Sequence, residues 1–245
     1  MRTTQTIKNL KKIYLPKLKK SPHFHELFET HISKITGWLN EDEAQFLYLL
    51  AQEVEEGLQI VEIGSYEGKS TVSIALGSRN GVFITAVDPH QGDITEVQAG
   101  KVVNTYEKFL SNIKFAGVDQ RILVKKMSSV DAAKDYTGEP IGLLFIDGWH
   151  STAAVLEDID AWLPYLHPEG IVVIDDWNDL EVKRAISQRR SKLPKLLGAV
   201  GKDLAFTNSN KLQQSEIGKF SKASHRRLML LGKLSNFKSR LFLGK

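Results

Sequence analysis

Five short, mostly apolar runs constrain this chain more than any other feature. They are Gln59–Gly64, Val82–Val87, Arg121–Met127, Ile141–Ile146 and Ile171–Ile174. Between them lie segments with apolar residues at spacings of three and four, predicted as helices over 69–76, 102–115, 128–136 and 152–163. Continuous apolar strands are buried on both faces, and strands that alternate with helices pair in parallel. The expected fold is therefore α/β: a doubly wound, Rossmann-like, mostly parallel sheet. A basic helix over 179–192 and two last strands, 196–200 and 204–207, complete it. Upstream, Asn40 followed by Glu41-Asp42-Glu43 has the form of a helix start, running to a stop at Gly57. Residues 7–18 space Ile7, Leu10, Tyr14 and Leu18 as a short helix interrupted at Pro16. Four segments result: a basic N-terminal segment 1–20, an N-terminal helical cap 21–57, the sheet domain 58–208 and a basic C-terminal extension 209–245.

Charge is divided between these segments. The net charge is +4, yet residues 1–20 hold seven Lys or Arg and no acid, and residues 211–245 hold nine against Glu216 alone. The body keeps 17 of the 33 bases and 28 of the 29 acids, so it is acidic. Basic ends are solvated termini or contacts for an anionic surface, whether nucleic acid, lipid or an acidic protein. There is no cysteine, which excludes disulfides and thiolate chemistry. No apolar run is long enough to span a bilayer or to form a signal peptide, so a cytoplasmic protein is expected.

The first apolar run leads into Ile63-Gly64-Ser65-Tyr66-Glu67-Gly68-Lys69-Ser70-Thr71. In a parallel sheet this turn lies at the carboxyl end of the first strand, where nucleotide-like ligands bind. Gly68-Lys69-Ser70 imitates the end of a phosphate loop, but the loop's first glycine would fall on Ile63. The dinucleotide fingerprint fails because Tyr66 stands where its second glycine belongs. What remains is Glu-x-Gly-x-x-x-Gly, built on Glu62, Gly64 and Gly68. It resembles the first motif of class I S-adenosylmethionine-dependent methyltransferases. The chemistry agrees, because that cofactor has no pyrophosphate and its ammonium suits a carboxylate. Asp88, 24 residues after Gly64, ends strand two as an acceptor for ribose hydroxyls.

Strand four ends in Asp147-Gly148-Trp149-His150 and strand five in Asp175-Asp176-Trp177. Both ends face the edge that carries the first turn, so three carboxylates converge. Such a cluster repels itself unless a cation neutralises it, and oxygen-only ligation points to Mg²⁺. His150, at the mouth of the same site, has an ordinary pKa of ~6.5 that suits a general base.

With these motifs the run from Trp38 to about Thr207 looks like a metal-dependent small-molecule O-methyltransferase, similar to the catechol, macrolide-sugar and cephalosporin-tailoring enzymes. The resemblance implies that Asp147, Asp175 and Asp176 bind Mg²⁺ and that His150 is the catalytic base, as in the sugar enzymes. It also implies that Gly64, Ser65, Tyr66 and Ser70 line the cofactor's amino-acid end with Glu62 and Gly68. Asp88 then holds the ribose, Ser128 lies near the adenine and Trp149 packs against it, with Asp147 on the same cofactor wall. The implied reaction is in-line transfer of the sulfonium methyl to a hydroxyl of a sugar-like, polyol or phenolic molecule.

Other residues carry blander expectations. His23, His25 and His31 have no spacing that gathers them as ligands. Lys183, Arg184, Arg189 and Arg190 read as a solvated helix face, and Trp38, Trp162 and Trp177 as core or pocket wall. The tail 220–245 sets Leu228, Leu231, Leu234, Leu241 and Phe242 among bases, the pattern of an amphipathic helix that lies on a membrane surface. A homodimer is expected. Two other function classes stand beside the small-molecule reading: a nucleic-acid methyltransferase gripping phosphate with its basic tails, and an inactive protein that only binds S-adenosylmethionine. The acidic body disfavours the first and the intact acids disfavour the second. The acceptor is not encoded in any readable motif, and its loop is expected over 90–101.

Overall fold

The structure, a computed structural model, describes residue 19 and residues 21–92 and 105–242. The expected helix over 7–18 and most of the 90–101 loop lie outside the described residues.

Seven strands form one sheet in the order β3-β2-β1-β4-β5-β7-β6. They are β1 Gln59–Ile63, β2 Ile84–Val87, β3 Ile122–Lys125, β4 Ile141–Ile146, β5 Leu166–Ile174, β6 Leu196–Val200 and β7 Asp203–Thr207. The first five pair in parallel, and β7 is antiparallel to both β5 and β6. The strand order reverses direction between β1 and β4. The carboxyl ends of those two strands therefore flank a crevice, the place where such sheets bind ligands.

Several helices start where the sequence provides a side-chain cap, though those at Lys69 and Tyr106 do not. Before the sheet come α1 Pro22–Leu27 and α2 Glu41–Ala51. Asn40 caps α2 in a capping box: its side chain accepts from the Asp42 and Glu43 amides, and Glu43 accepts from the Asn40 amide. The sheet helices are α3 Lys69–Gly77, α4 Tyr106–Phe115, α5 Ser129–Lys134, α6 Thr152–Trp162 and α7 Leu180–Arg189. Ser128, Ser151 and Asp179 cap α5, α6 and α7. After the sheet come α8 Asn210–Gln214 and α9 Glu216–Phe242.

Apolar side chains fill both faces of the sheet. On one, Phe24, Phe46, Leu47 and Leu50 of the N-terminal helices pack with Ile60, Ile74, Phe109 and Phe145. On the other, Val61, Leu144 and Val172 pack with Ile159, Trp162 and Val182. The residues expected as a helical cap therefore share a core with the sheet. Trp162 and Trp177 are buried, whereas Trp38 is 69% exposed.

Two boundaries differ from the sequence reading. Pro168-Glu169-Gly170, expected as a turn, lies inside β5. The register jumps there, with Ile141 facing Leu166 but Leu143 facing Ile171. Proline and glycine are tolerated at such a bulge. Residues 119–121 form a 3₁₀ turn before β3, which shortens that strand. The basic extension is helical along most of its length, because Ser221 and its neighbours pack on β6. No helix among the described residues is long and apolar enough to cross a membrane.

Candidate active site

The first turn is shaped by backbone strain that its residues accept. Gly64 has φ +84°, and a methyl placed on it would stand 2.1 Å from the Asp147 carbonyl oxygen. Only glycine lets β1 and β4 end this close together. Tyr66 follows with φ +46°, and its amide donates to Asp88 Oδ2 at 2.7 Å. The His90 amide donates to the other Asp88 oxygen at 2.6 Å. Asp88 thus ties the first turn to the end of β2.

A cavity of about 320 Å³ opens over this turn. Gly64, Ser65, Tyr66 and Ser70 form one wall, Thr36–Leu39 and Lys69 another, and Asp147, His150, Asp175, Asp176 and Lys202 the floor. Ser65 is 1% exposed and its hydroxyl has no hydrogen-bond partner among the described residues. A buried unpaired hydroxyl beside a cavity fits a polar ligand that completes its hydrogen bonds. A larger cavity, about 470 Å³, lies at the opposite edge among Leu163, His167, Arg190 and Lys195, and touches none of these acids.

The floor is a network of charges. His150 Nδ1 lies 3.1 Å from Asp176 Oδ2 and its Nε2 lies 3.4 Å from Asp147 Oδ1. Hydrogen bonding to Asp147 and then Asp176 pushes the imidazole pKa up to about 10. Lys202 Nζ lies 2.8 Å from Asp176 Oδ1. Its partners, His150 first, pull the Asp176 carboxyl down to about 2. Burial, reinforced by the charge of Asp175, pushes Asp147 well above the carboxylate range, against the pull of His150. Below them, Asp203 is fully buried and neither of its oxygens has a hydrogen-bond partner among the described residues. Burial, then the charges of Asp175, Glu43 and Asp147, raise its carboxyl well above its ordinary value.

One ligand atom each from Asp147, His150 and Asp175 fall within 4.8 Å of one another. The two carboxylates offer oxygen ligands of the kind a hard divalent cation takes, and the imidazole stands beside them. The structure therefore gathers Asp147, His150, Asp175 and Asp176 as expected, but spends Asp176 on His150 and Lys202.

The expected cofactor residues divide. Gly64, Ser65, Tyr66, Ser70 and Asp147 line the cavity. Glu62 lies beneath it, 0% exposed, accepting from the Thr71 hydroxyl. Burial raises its pKa to about 7, against the pull of Ser70 and Thr71. Gly68 opens α3 at φ +92°. Ser128 spends its hydroxyl on Asp131, and Trp149 is 51% exposed. Of the three N-terminal histidines, His25 pairs with Glu41 and His31 packs on Phe115. The basic face of α7 is partly tied down: Arg189 binds Asp160, and Arg190 donates to the Leu193 and Pro194 carbonyls.

Lys202, Asp203 and Glu43 had no signal in the sequence. Lys202 sits in the β6–β7 hairpin, held where its amide donates to Glu43 Oε1 at 3.0 Å and its carbonyl accepts from the Trp177 amide. Nothing local marks a hairpin lysine as part of a site built 26 residues earlier.

Comparison with known proteins agrees with this geometry. Residues 61–177 match a family model described as a methyltransferase domain. The structure is similar to an O-methyltransferase from Bacillus cereus solved with S-adenosylhomocysteine, with 18% identity, TM-score 0.55, and 83% of this chain and 97% of that one covered. It is also similar to TomG, an O-methyltransferase of tomaymycin synthesis from Streptomyces achromogenes solved with S-adenosylmethionine, at 16% identity and TM-score 0.55, covering 85% and 98%. The O-methyltransferase NovP aligns at 13% identity and TM-score 0.58, over 85% and 98%. Over residues 61–177, just under half of its length, the chain thus matches a methyltransferase-domain model, and it shares the fold of those O-methyltransferases.

Proposed function

We propose that the chain transfers a methyl group from S-adenosylmethionine to a hydroxyl of a small molecule, with a divalent cation such as Mg²⁺ at the acidic floor. The observation that carries this reading is the convergence of Asp147, His150 and Asp175 beneath the Gly64–Tyr66 turn.

Ser65 and the turn backbone would take the cofactor's amino-acid end, since the Ser65 hydroxyl is buried and unpaired. Asp88 would accept from the ribose hydroxyls with lone pairs not used by the Tyr66 and His90 amides. Asp147 and Asp175 would hold the cation, and Asp176 becomes available by releasing Lys202. A bound divalent ion lowers the pKa of a coordinated hydroxyl and offsets the charge of the acids. His150 lies between Asp147 and Asp176; were Asp147 to hold a cation, His150 would keep one carboxylate partner and would stand within reach to accept the hydroxyl proton. The cavity walls hold acceptor and methyl donor in line, an effect worth up to about 7–11 kcal/mol. The complexes of the Bacillus cereus enzyme with S-adenosylhomocysteine and of TomG with S-adenosylmethionine support the choice of cofactor.

The test is methyl transfer to a panel of sugar-like, polyol and phenolic acceptors, with Mg²⁺ or with chelator. Asp147→Asn should remove metal-stimulated transfer while calorimetry still shows S-adenosylmethionine binding. Full activity of that variant in chelator overturns the metal assignment, and no cofactor binding by the unaltered protein overturns the whole reading.

A further inference from the structure

The bases at the end of α7 and in the segment after it take no part in the candidate active site. They border the cavity of about 470 Å³ instead. β5 starts beside it at Leu166, β6 starts at Leu196 and β7 ends at Thr207. The cavity therefore opens at the amino edge of the sheet, opposite the Gly64 turn. Leu163, Leu166 and Leu193, which also pack against the core, give it an apolar wall. Its charged lining is Arg190, Lys192 and Lys195, with no acid among the lining residues. Asp160, outside the lining, already pairs with both Arg189 and Lys192, so one carboxylate serves two bases.

The donors of this lining are held in place while their charge stays unmatched. Arg190 Nη1 donates to the Pro194 carbonyl at 3.0 Å and to the Leu193 carbonyl at 3.4 Å. Its guanidinium carbon lies 5.5 Å from the centre of the Phe206 ring. All three partners are neutral, and Arg190 has no carboxylate partner among the described residues. The Lys195 amide donates to Asn208 Oδ1 at 3.2 Å and its carbonyl accepts from the Thr207 amide at 2.8 Å. That fixes the Lys195 backbone, and its ammonium has no ion-pair partner among the described residues. The Glu169 amide donates to His167 Nδ1 at 3.3 Å. The proton of the neutral ring then sits on Nε2, which makes that nitrogen a donor too.

We propose that this cavity is a second ligand site, for a small molecule that joins an apolar ring to a phosphate group. Arginine binds phosphate through its fork of N–H groups and lysine binds it as a point charge, and both stand here without an acid to compete. The volume falls in the range of small-molecule sites, about 300–1,000 Å³. The leucine wall is what an apolar ring would cover, and a bare anion would leave it wet. Nucleic acid would use the bases, but the acidic body around them repels its backbone. The site shares no residue with the cavity over the Gly64 turn, so it stands apart from the methyl-transfer reading.

The experiment is calorimetric titration of the full chain with phenyl phosphate, inorganic phosphate and benzyl alcohol, without cofactor or acceptor. Phenyl phosphate should bind at least about tenfold more tightly than either of the others, because only it uses both the bases and the leucine wall. Lys195→Gln should weaken it about tenfold with thermal unfolding unchanged, since the Lys195 ammonium holds nothing in the free protein. Arg190→Lys keeps the charge but loses the fork, and should weaken it several-fold. Absence of phenyl phosphate binding overturns the proposal, as does an affinity no better than that of inorganic phosphate. Binding that survives Lys195→Gln unchanged but is lost in Asp147→Asn places the molecule in the other cavity and overturns it. Short RNA that binds more tightly than phenyl phosphate and displaces it overturns it in favour of nucleic acid.

Discussion

Gly64 and Asp147 meet with no room between them: a single carbon added to Gly64 would stand 2.1 Å from the Asp147 carbonyl oxygen. The turn that shapes the cavity wall and the acid on its floor are thus one structural unit, joined where β1 and β4 end side by side. Gly64→Ala combines this clash with an unfavourable positive φ. It should cost at least about 2 kcal/mol of stability. Thermal unfolding measures that loss, and calorimetric titration with S-adenosylmethionine should show weakened binding in whatever protein remains folded. An alanine variant that melts and binds like the parent would refute the coupling.

His150 holds both Asp147 and Asp176. If it accepts the acceptor's proton, His150→Gln should lower kcat by about 10²–10⁴ while leaving cofactor affinity nearly unchanged. A fall in cofactor affinity with kcat preserved would instead make it a wall residue. Steady-state kinetics together with direct titration separate the two.

Lys202 competes for Asp176 with any cation bound at the floor. Lys202→Met removes the competitor and should raise Mn²⁺ affinity several-fold, read by the paramagnetic signal of the free ion. Stability should change by less than about 1 kcal/mol, because the pair is part-exposed. Unchanged Mn²⁺ affinity would place Asp176 outside the metal site.

Glu62 carries a pH dependence that can be read from its burial. Its pKa in the folded protein is about 7, raised from an ordinary 4.5 chiefly by desolvation. A raised acid stabilises the fold fully below its unfolded pKa, and that contribution is lost as pH rises through the folded value. Glu62→Gln removes the ionisation, so its stability relative to the parent should improve from pH 5 to pH 8. The change should approach roughly 2–3 kcal/mol. Chemical denaturation at both pH values tests this, and a constant difference between the two proteins would show that Glu62 does not ionise in this range.

The sheet was legible in the chain because buried parallel strands must be apolar along their whole length, and the helix start at Asn40 because its cap is a local hydrogen-bond choice. The acids after β4 and β5 were legible for a related reason. Parallel strands put all their carboxyl ends at one edge, so knowing the strands places Asp147, Asp175 and Asp176 together. What lay beyond sequence was every relation made by packing. The Pro168 turn became a bulge because the neighbouring β4 imposes its register on β5.

Glu62, which by sequence faces the ligand, is turned under the cavity by its hydrogen bond to Thr71. Lys202 enters the site through a hairpin that only the antiparallel β7 returns to Asp176, and the Asp203 carboxyl is raised because the fold buries it near Asp175. The order of residues determined which groups stand at the functional edge. Only the tertiary structure decided which charges face each other there, because Coulomb and desolvation energies depend on distances and burial that no local pattern contains.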